Sequence, residues 1–183
     1  MDRPREPLTM MTSVFVGISL DGFIARLNGA YDFLPADGGE SNGYDEFIGT
    51  VDVLIIGRKT FETVLAFPQW PYGNRQVVVL SSRPLHFSQV HGGRVEQMSG
   101  DPAEIFSKLS ARGFKHVYVD GGITVQRFLG AGLIQRIIIN RYPVLIGDGI
   151  PLFGSLPHDV RLRHIATQTC KNGLVKSEYH VVT

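Results

Sequence analysis

The sequence predicts an α/β domain with a central mixed, mostly parallel sheet of about eight strands flanked by about four helices. Three apolar segments rich in β-branched residues each end in glycine or serine where a helix or loop follows: 53–57, 76–82 and 115–122. Helical patterns stop after Gly132, and the Asn172-Gly173 pair between two β-rich segments indicates an antiparallel hairpin. Strand–helix alternation followed by such a tail favours a sheet covered by helices.

The composition indicates one globular domain without a strong overall charge. With 183 residues, 43% of them hydrophobic, and a net charge of +1, we expect one core and no binding of nucleic acid or of a membrane surface. Cys170 is the only cysteine, which excludes an internal disulfide and favours a reducing, cytoplasmic compartment. Residues 1–12 lack the apolar core of a signal peptide, and no apolar run is long enough to span a bilayer. We therefore expect a flexible tail over 1–12 and a single domain over 13–183.

The first elements lead to the first buried strand. Residues 13–20 are rich in β-branched and aromatic types and stop at the turn pair Asp21-Gly22, which predicts a strand. Residues 26–43 predict a long ordered loop, of a kind that often serves a site. The helical spacing of apolar residues over 44–51 predicts a short helix before that strand.

The clearest helix signal follows a weaker strand predicted over 94–98. Asp101 is a good N-cap residue, Pro102 suits the first helical position, and Glu104 lies three residues past the cap. The helix should end at Gly113, because glycine is favoured just after a helix.

The C-terminal part is predicted to be mostly strand. A last helix is expected over 123–129, after which the β-rich segments 133–142, 160–168 and 174–182 predict three strands. The glycines of 146–151 come between strand-like segments with no helix behind them, so we interpret that stretch as a loop.

The corner at Gly57 is the strongest candidate site. An apolar strand ends there and turns at once into a helix, where free backbone N–H groups near Thr60 could hold an anion. Arg58 and Lys59 add full positive charges. The alternative is an ordinary strand–turn–helix corner with two solvated basic residues.

Several site classes are excluded or disfavoured. Neither GxGxxG nor GxxxxGK[ST] is present, so the two familiar nucleotide-binding folds are disfavoured. The six histidines lack the spacing of metal ligands, and we assign no metal. No GxSxG elbow is present, which argues against hydrolysis by a serine triad.

Six segments together resemble the dihydrofolate reductase-like superfamily. They are GISLDGFIA (17–25), VDVLIIGRKTFE (51–62), WPYG (70–73), VVVLSSRP (77–84), VDGG (119–122) and GLIQRIIINRYPVLIGDGIPLF (132–153). The similarity covers nearly the whole chain in order and is greatest to the reductase domain of the bifunctional deaminase-reductases of riboflavin biosynthesis and its stand-alone relatives. It implies the dihydrofolate reductase-like three-layer fold and NADPH as cofactor.

The resemblance also implies which residues bind NADPH. The Gly57-Arg58-Lys59-Thr60 segment would hold the phosphates, and the segment from Leu80 to Arg83 would flank the 2′-phosphate. The remaining implied cofactor contacts are two segments: Gly121, Gly122, Ile123 and Thr124 at the pyrophosphate, and Val16, Gly17, Ile18 and Ile24 beside the nicotinamide. Arg58, Ser81, Ser82 and Arg83 would favour NADPH over NADH, since only NADPH carries the 2′-phosphate; alternatively Arg58 packs on its own helix.

The implied reaction is hydride transfer from the nicotinamide to a small polar heterocycle or a sugar imine, pyrimidine- or pterin-like. Dihydrofolate reductases bind the pterin with an acid on the helix that is predicted here over 44–51, where only Asp45 and Glu46 are acidic. The chain lacks the cysteines of a zinc deaminase domain. The alternatives are dihydrofolate reductase proper and a non-catalytic NADP(H)-binding protein.

Candidates for chemistry and substrate contact follow from the same segments. Asp21 and Asp45 are the catalytic candidates, with a turn residue and a helix-start acid as the respective alternatives. Tyr44, Trp70 and Phe153 are candidates to line the substrate cleft, although large aromatic residues are more often core.

The C-terminal half also predicts an assembly. The segment 133–146 carries more apolar length than one strand needs to cover a core, and reductase domains of this branch are commonly dimers. We expect a homodimer that uses this strand-rich half as its interface.

Overall fold

The computed structural model describes residues 10–35 and 42–182, which form one large sheet, one two-stranded sheet and helices. The strands of this part of the chain are β1 Met11–Ser19, β2 Phe23–Ala25, β3 Val53–Gly57, β4 Gln76–Leu80, β5 Arg94–Met98, β6 His116–Asp120, β7 Arg136–Tyr142, β8 Ile150–Pro151, β9 Leu162–Thr169 and β10 Val175–Val181. The helices are α1 Tyr44–Gly49, α2 Arg58–Leu65, α3 Pro102–Ala111 and α4 Gly122–Gly130. The α/β fold and its C-terminal hairpin are confirmed.

The large sheet has eight strands in the order β5-β4-β3-β6-β1-β7-β10-β9. The first six are parallel to one another, whereas β10 runs antiparallel to both β7 and β9. Parallel strands share the direction in which they end, so the carboxyl ends of β1, β3, β4, β6 and β7 meet at one edge. In open α/β sheets this is the edge where ligands bind.

Helices cover the two faces of the sheet and produce two hydrophobic cores. On one face, Phe106 of α3 and Phe128 of α4 pack against the sheet. On the other face, Phe47 of α1 and Phe61 of α2 do so. Strand β3 is buried on both faces, which is why its sequence is a continuous apolar run rather than an alternating one.

Two boundaries differ from the sequence prediction. Strand β1 begins at Met11, and Met10 and Thr12 are buried, so these residues belong to the domain rather than to a tail; the rest of the predicted tail, 1–9, lies outside the described residues. Within the predicted loop 146–151, Ile150–Pro151 forms β8 and pairs with β2. A two-residue strand carries no periodic signal, since its pairing depends on a partner far away in sequence.

The edge of the sheet formed by β9 is only lightly covered. Every residue of β9 is exposed and every residue of β10 is half-buried. No helix in the part of the chain that the structure describes is long and apolar enough to cross a membrane.

Candidate active site

Two strand–helix corners lie side by side at the carboxyl edge of the sheet. Ile56 pairs with Asp120 across β3 and β6, so α2 and α4 begin on neighbouring strands. A methyl group added at Gly57 would lie 3.0 Å from Thr124 Oγ1, and one added at Gly121 would lie 2.8 Å from Thr60 Oγ1. The two helix N-termini therefore approach each other through glycine backbone. Such a pair of N-termini presents unpaired N–H donors to an anion.

The small β2–β8 sheet closes one side of the α4 corner. A Cβ atom at Gly122 would lie 3.0 Å from Ile24 Cδ1 and 3.2 Å from Ile150 Cγ2. Ile123, the next residue along α4, is 65% exposed. The predicted cofactor residues Ile24, Gly122 and Ile123 are thus gathered at one place, with the apolar side chain of Ile123 open to solvent.

At the end of β1, the predicted nicotinamide contacts alternate between the two faces of the sheet. Val16 and Ile18 are buried in the core under α3 and α4, so only their backbone could border a ligand. Gly17 points to the opposite face, where an added Cβ would meet Tyr142 and Leu34. Glycine therefore lets the side chains of Tyr142 and Leu34 pack directly against the β1 backbone on the face that α1 covers.

The loop after β4 stands next to the α2 corner. Gly57 pairs with Leu80, so Arg58 and Ser81 directly follow paired residues at the ends of neighbouring strands. The Ser81 hydroxyl donates to the Arg83 carbonyl at 2.8 Å and accepts from the Arg83 N–H at 3.1 Å. The Ser81 hydroxyl therefore holds its own loop, while the side chains of Ser82 and Arg83 are exposed.

Arg58 and Lys59 both lie at the surface of the α2 N-terminus. The Arg58 guanidinium contacts the Glu62 carboxylate at 3.2 Å, four residues along the same helix. Their side chains are 38% and 55% exposed, and an exposed pair of this kind is weak, so Arg58 can exchange Glu62 for a phosphate at little cost. Lys59 is exposed, and Thr60 is half-buried facing Gly121.

An unusual carboxyl group ends β6. Asp120 Oδ1 accepts a hydrogen bond from the Gly121 N–H at 2.9 Å. Burial raises the pKa of Asp120 from 3.8 to about 6, and hydrogen bonds from the Gly121 N–H and the Tyr118 hydroxyl keep the pKa lower than burial alone would set it. A carboxyl group with this pKa is protonated in about half of the molecules near pH 6 and in about a tenth at pH 7, far more than an ordinary aspartate.

The charge of this carboxyl group affects four tyrosines. In each of them burial is the main cause of a raised pKa and the charge of Asp120 is the second cause. We call these residues the tyrosine cluster: Tyr31, Tyr44, Tyr72 and Tyr118. They come from the loop before α1, from α1, from the loop before β4 and from β6, so the fold assembles them on the face that α1 and α2 cover.

The family follows from comparison with known proteins. The model of the RibD C-terminal domain matches residues 12–176. The chain belongs to this family. It is 33% identical over 155 residues to YwjB, an uncharacterised protein of Bacillus subtilis, across 83% of this chain and 87% of that protein. The solved structure of a provisionally named riboflavin biosynthesis protein of Shewanella sp. PV-4 has 34% identity and a TM-score of 0.83, covering 95% of this chain and all of that one.

More distant RibD and dihydrofolate reductase structures share the fold alone. The bifunctional deaminase and 5-amino-6-(5-phosphoribosylamino)uracil reductase of Thermotoga maritima has 14% identity and a TM-score of 0.74 over 95% of this chain and 57% of that one. The dihydrofolate reductase of Enterococcus faecalis, complexed with NADP(H), has 20% identity and a TM-score of 0.64 over 94% of this chain and 97% of that one. The predicted membership, a relative of the RibD C-terminal reductase domain with a dihydrofolate reductase-like fold, is confirmed.

The two catalytic candidates of this RibD-type domain are both exposed, although Asp45 follows Tyr44 directly and its charge adds to the raised pKa of that tyrosine. Asp21 is exposed and accepts from the N–H groups of Gly147 at 2.9 Å and Ile146 at 3.3 Å. The Ser19 hydroxyl first, and then these N–H groups, lower the pKa of Asp21. Asp45 is exposed in the first turn of α1. The geometry of both carboxylates fits the structural alternatives, a turn residue and a helix-start acid.

The three substrate candidates of the RibD-type domain are dispersed. Tyr44 belongs to the tyrosine cluster and packs edge-on against Phe15 at 5.5 Å. Trp70 packs against Phe61 and Tyr72 within the core under α2. Phe153 follows β8 and is 41% exposed, next to Gly154, whose backbone adjoins α4 on the other side of the sheet. Only Tyr44 is placed with Asp120.

Asp120 is the site residue that the sequence prediction did not select. A sequence signal existed, because an acid ends a buried apolar strand just before Gly121-Gly122. The burial that raises its pKa, however, is produced by the folded chain and carries no local sequence signal. Spacing alone therefore could not identify it.

Proposed function

We propose that the protein is an NADPH-dependent reductase that transfers hydride to a small polar heterocyclic or sugar-imine substrate, pyrimidine- or pterin-like. One observation carries the proposal. The paired α2 and α4 N-termini, which suit a pyrophosphate, lie at the same sheet edge as Asp120, whose pKa of about 6 suits proton transfer. Family membership supports a reductase, and the reductase named for the Thermotoga protein acts on a ribosylaminopyrimidine.

In this proposal the cofactor lies along the carboxyl edge of the sheet. Its pyrophosphate meets the N–H groups near Thr60 and Thr124, and its 2′-phosphate meets Arg58, Ser82 and Arg83. Ile24 and the backbone at Gly17 would border the nicotinamide. The bound cofactor supplies the hydride.

Asp120 supplies the proton in the proposed reaction. When hydride adds to the carbon of a C=N bond, the π electrons move to the nitrogen, which then takes a proton. The protonated carboxyl group of Asp120 gives up that proton and becomes a carboxylate, which regains a proton from solvent. Burial keeps this carboxyl group protonated up to a higher pH than an exposed aspartate.

Dihydrofolate reductase proper is the less favoured function. That enzyme would place an acid of α1 in the pterin site, yet Asp45 and Glu46 are both exposed. In this chain the acid comes from β6 instead, which favours a substrate other than folate.

The test is NADPH oxidation, followed optically, with a panel of pyrimidines, pterins and small carbonyl compounds. We expect turnover with a pyrimidine or pterin and none with dihydrofolate. Binding of NADPH without turnover of any compound would favour the non-catalytic alternative. Failure to bind NADPH at all would overturn the proposal.

We also propose that the protein forms a homodimer through its C-terminal strands. Leu162 and Ile165 of β9 are 41% and 42% exposed, a lightly covered apolar surface at the edge of the sheet. Light scattering at micromolar concentration should give twice the chain mass. Charged substitutions at both positions, Leu162→Lys with Ile165→Lys, should give a monomer; a wild-type monomer would contradict the proposal.

A further inference from the structure

Gln97 of β5 is hydrogen-bonded to three backbone groups of the loop that follows β4. Its Nε2 donates to the Ser81 carbonyl and to the Arg83 carbonyl, each at 2.8 Å. Its Oε1 accepts from the Leu85 N–H at 3.0 Å. One amide side chain thus connects both ends of this short loop to the sheet.

The loop has little else to fix its conformation. Besides Gln97, the Ser81 hydroxyl bridges to the Arg83 backbone, and the Ser81 N–H continues the sheet by donating to the Met98 carbonyl at 3.1 Å. The side chains that the loop presents, Ser82 and Arg83, are exposed. Their position therefore depends on the backbone, and the backbone depends on Gln97.

We propose that Gln97 is a positioning residue that sets the preference for NADPH over NADH. The inference rests on the proposed function, in which Ser82 and Arg83 receive the 2′-phosphate. Gln97 does not touch the cofactor. It holds the Ser81–Arg83 backbone so that these two side chains are already placed beside Arg58 when the phosphate arrives. Such preorganisation lowers the entropy lost on binding.

The chemistry of the position requires a glutamine. The side chain must donate two hydrogen bonds and accept one, and a primary amide of this length provides both functions. Methionine has a similar length and shape but forms none of these bonds. Glutamate keeps the acceptor for the Leu85 N–H, but it loses the donors and places a negative charge near two carbonyl oxygens.

The experiment is calorimetric titration of NADPH and NADH against the wild type, Gln97→Met and Gln76→Met. Gln76 is the matched control, because it lies at the opposite end of β4 and its Nε2 donates to Glu96 at 3.0 Å, away from the loop. Gln97→Met should weaken NADPH binding about tenfold, as expected for the loss of net hydrogen-bond energy, and leave NADH binding nearly unchanged. Gln76→Met should change neither.

Several results would overturn the inference. Equal weakening of both cofactors, or unchanged NADPH binding in a folded Gln97→Met variant, would show that Gln97 does not act through the 2′-phosphate. If Gln97→Met does not fold, Gln97→Asn, which keeps the amide on a shorter side chain without adding a charge, should fold and lose NADPH affinity selectively; failure of both to fold would make the residue a structural one and overturn the inference. A wild type that binds NADPH and NADH equally would instead refute the proposed cofactor preference, and the inference with it.

Discussion

Two Asp-Gly pairs at strand ends lie at the same edge of the sheet. Their backbone geometry is similar, but the pKa values of their carboxyl groups are shifted in opposite directions. Asp21-Gly22 lies just after β1, and Asp120-Gly121 joins β6 to α4. Both carboxylates accept hydrogen bonds from backbone N–H groups, and both glycines have positive φ, 90° and 97°. Yet the pKa of Asp21 is lowered, whereas that of Asp120 is raised to about 6.

The difference comes from what surrounds each pair. Asp21 is open to solvent, and the Ser19 hydroxyl together with two N–H donors stabilises its charge by more than desolvation opposes it. Asp120 lies among the tyrosine cluster, where desolvation outweighs its two hydrogen bonds. The same dipeptide at the same edge thus fixes a loop in one place and provides a candidate general acid in the other.

The largest expected effect is on turnover. Asp120→Asn should lower kcat about a hundredfold or more, because a side-chain amide cannot deliver the proton and general acids contribute on that order. Asp21→Asn should leave kcat nearly unchanged. The measurement is steady-state kinetics with NADPH and the substrate that the panel identifies.

A similar loss of kcat in Asp120→Asn and Asp21→Asn would show that the two carboxylates do not differ in their catalytic role. In the wild type, kcat should also fall as the pH rises above about 6, where Asp120 becomes deprotonated. Asp120→Asn should abolish that dependence.

The two glycines should differ in their effect on stability. At Gly121 an added methyl group meets strained backbone and lies 2.8 Å from Thr60 Oγ1, so Gly121→Ala should cost roughly 2–4 kcal/mol. At Gly22 nothing lies within 4 Å of the added atom, and Gly22→Ala should cost only the backbone strain, about 1–2 kcal/mol. Urea unfolding of both variants checks this order, and equal costs would refute the close contact between α2 and α4.

The sequence predicts the parts of this comparison that depend on local pattern. The apolar runs identify β3 and β6, and the glycines after them identify the corners, because these signals lie within a few residues. Ligand binding at Gly57 and Gly121 follows from the direction of the strands and the resemblance to the family.

The sequence does not predict which aspartate is unusual. Asp21 was a candidate because it ends a strand, but its partners, the N–H groups of Ile146 and Gly147, lie on a distant loop. Asp120 pairs with Ile56 of β3, and its burial depends on elements that are distant from it in the sequence. The pKa of a carboxyl group is set by three-dimensional surroundings, so it becomes visible only once the chain is folded.

A smaller effect concerns folding. The pKa of Asp120 rises from 3.8 to about 6, so the folded state binds more protons than the unfolded state in this pH window. The free energy of unfolding therefore falls as the pH rises from 3.8 to about 6, and it stays lowered at higher pH. Asp120→Asn should stabilise the protein at pH 7 by about 1–3 kcal/mol, reduced from the full value because the side chain is partly exposed, and should gain nothing below pH 3.8. Denaturant unfolding of the wild type and Asp120→Asn at pH 7 and below pH 3.8 measures both stability differences. A variant less stable than the wild type at pH 7 would contradict the prediction.

The smallest effect belongs to Asp21 and has the opposite sign. Its folded pKa is below 3.8, so it contributes stability that is present above pH 3.8 and is lost as the pH falls through the lowered value. Asp21→Asn keeps an oxygen acceptor for the Gly147 N–H but removes the charge, so it should lower the melting temperature slightly at neutral pH and not at all in acid. Because the carboxylate is exposed, high salt should shrink the difference at neutral pH. Asp21→Ala, which also removes the acceptor, should remain less stable than the wild type at every pH and salt concentration. If Asp21→Asn melts like the wild type under all conditions, the charge contributes nothing and the loop is held by the hydrogen bonds alone.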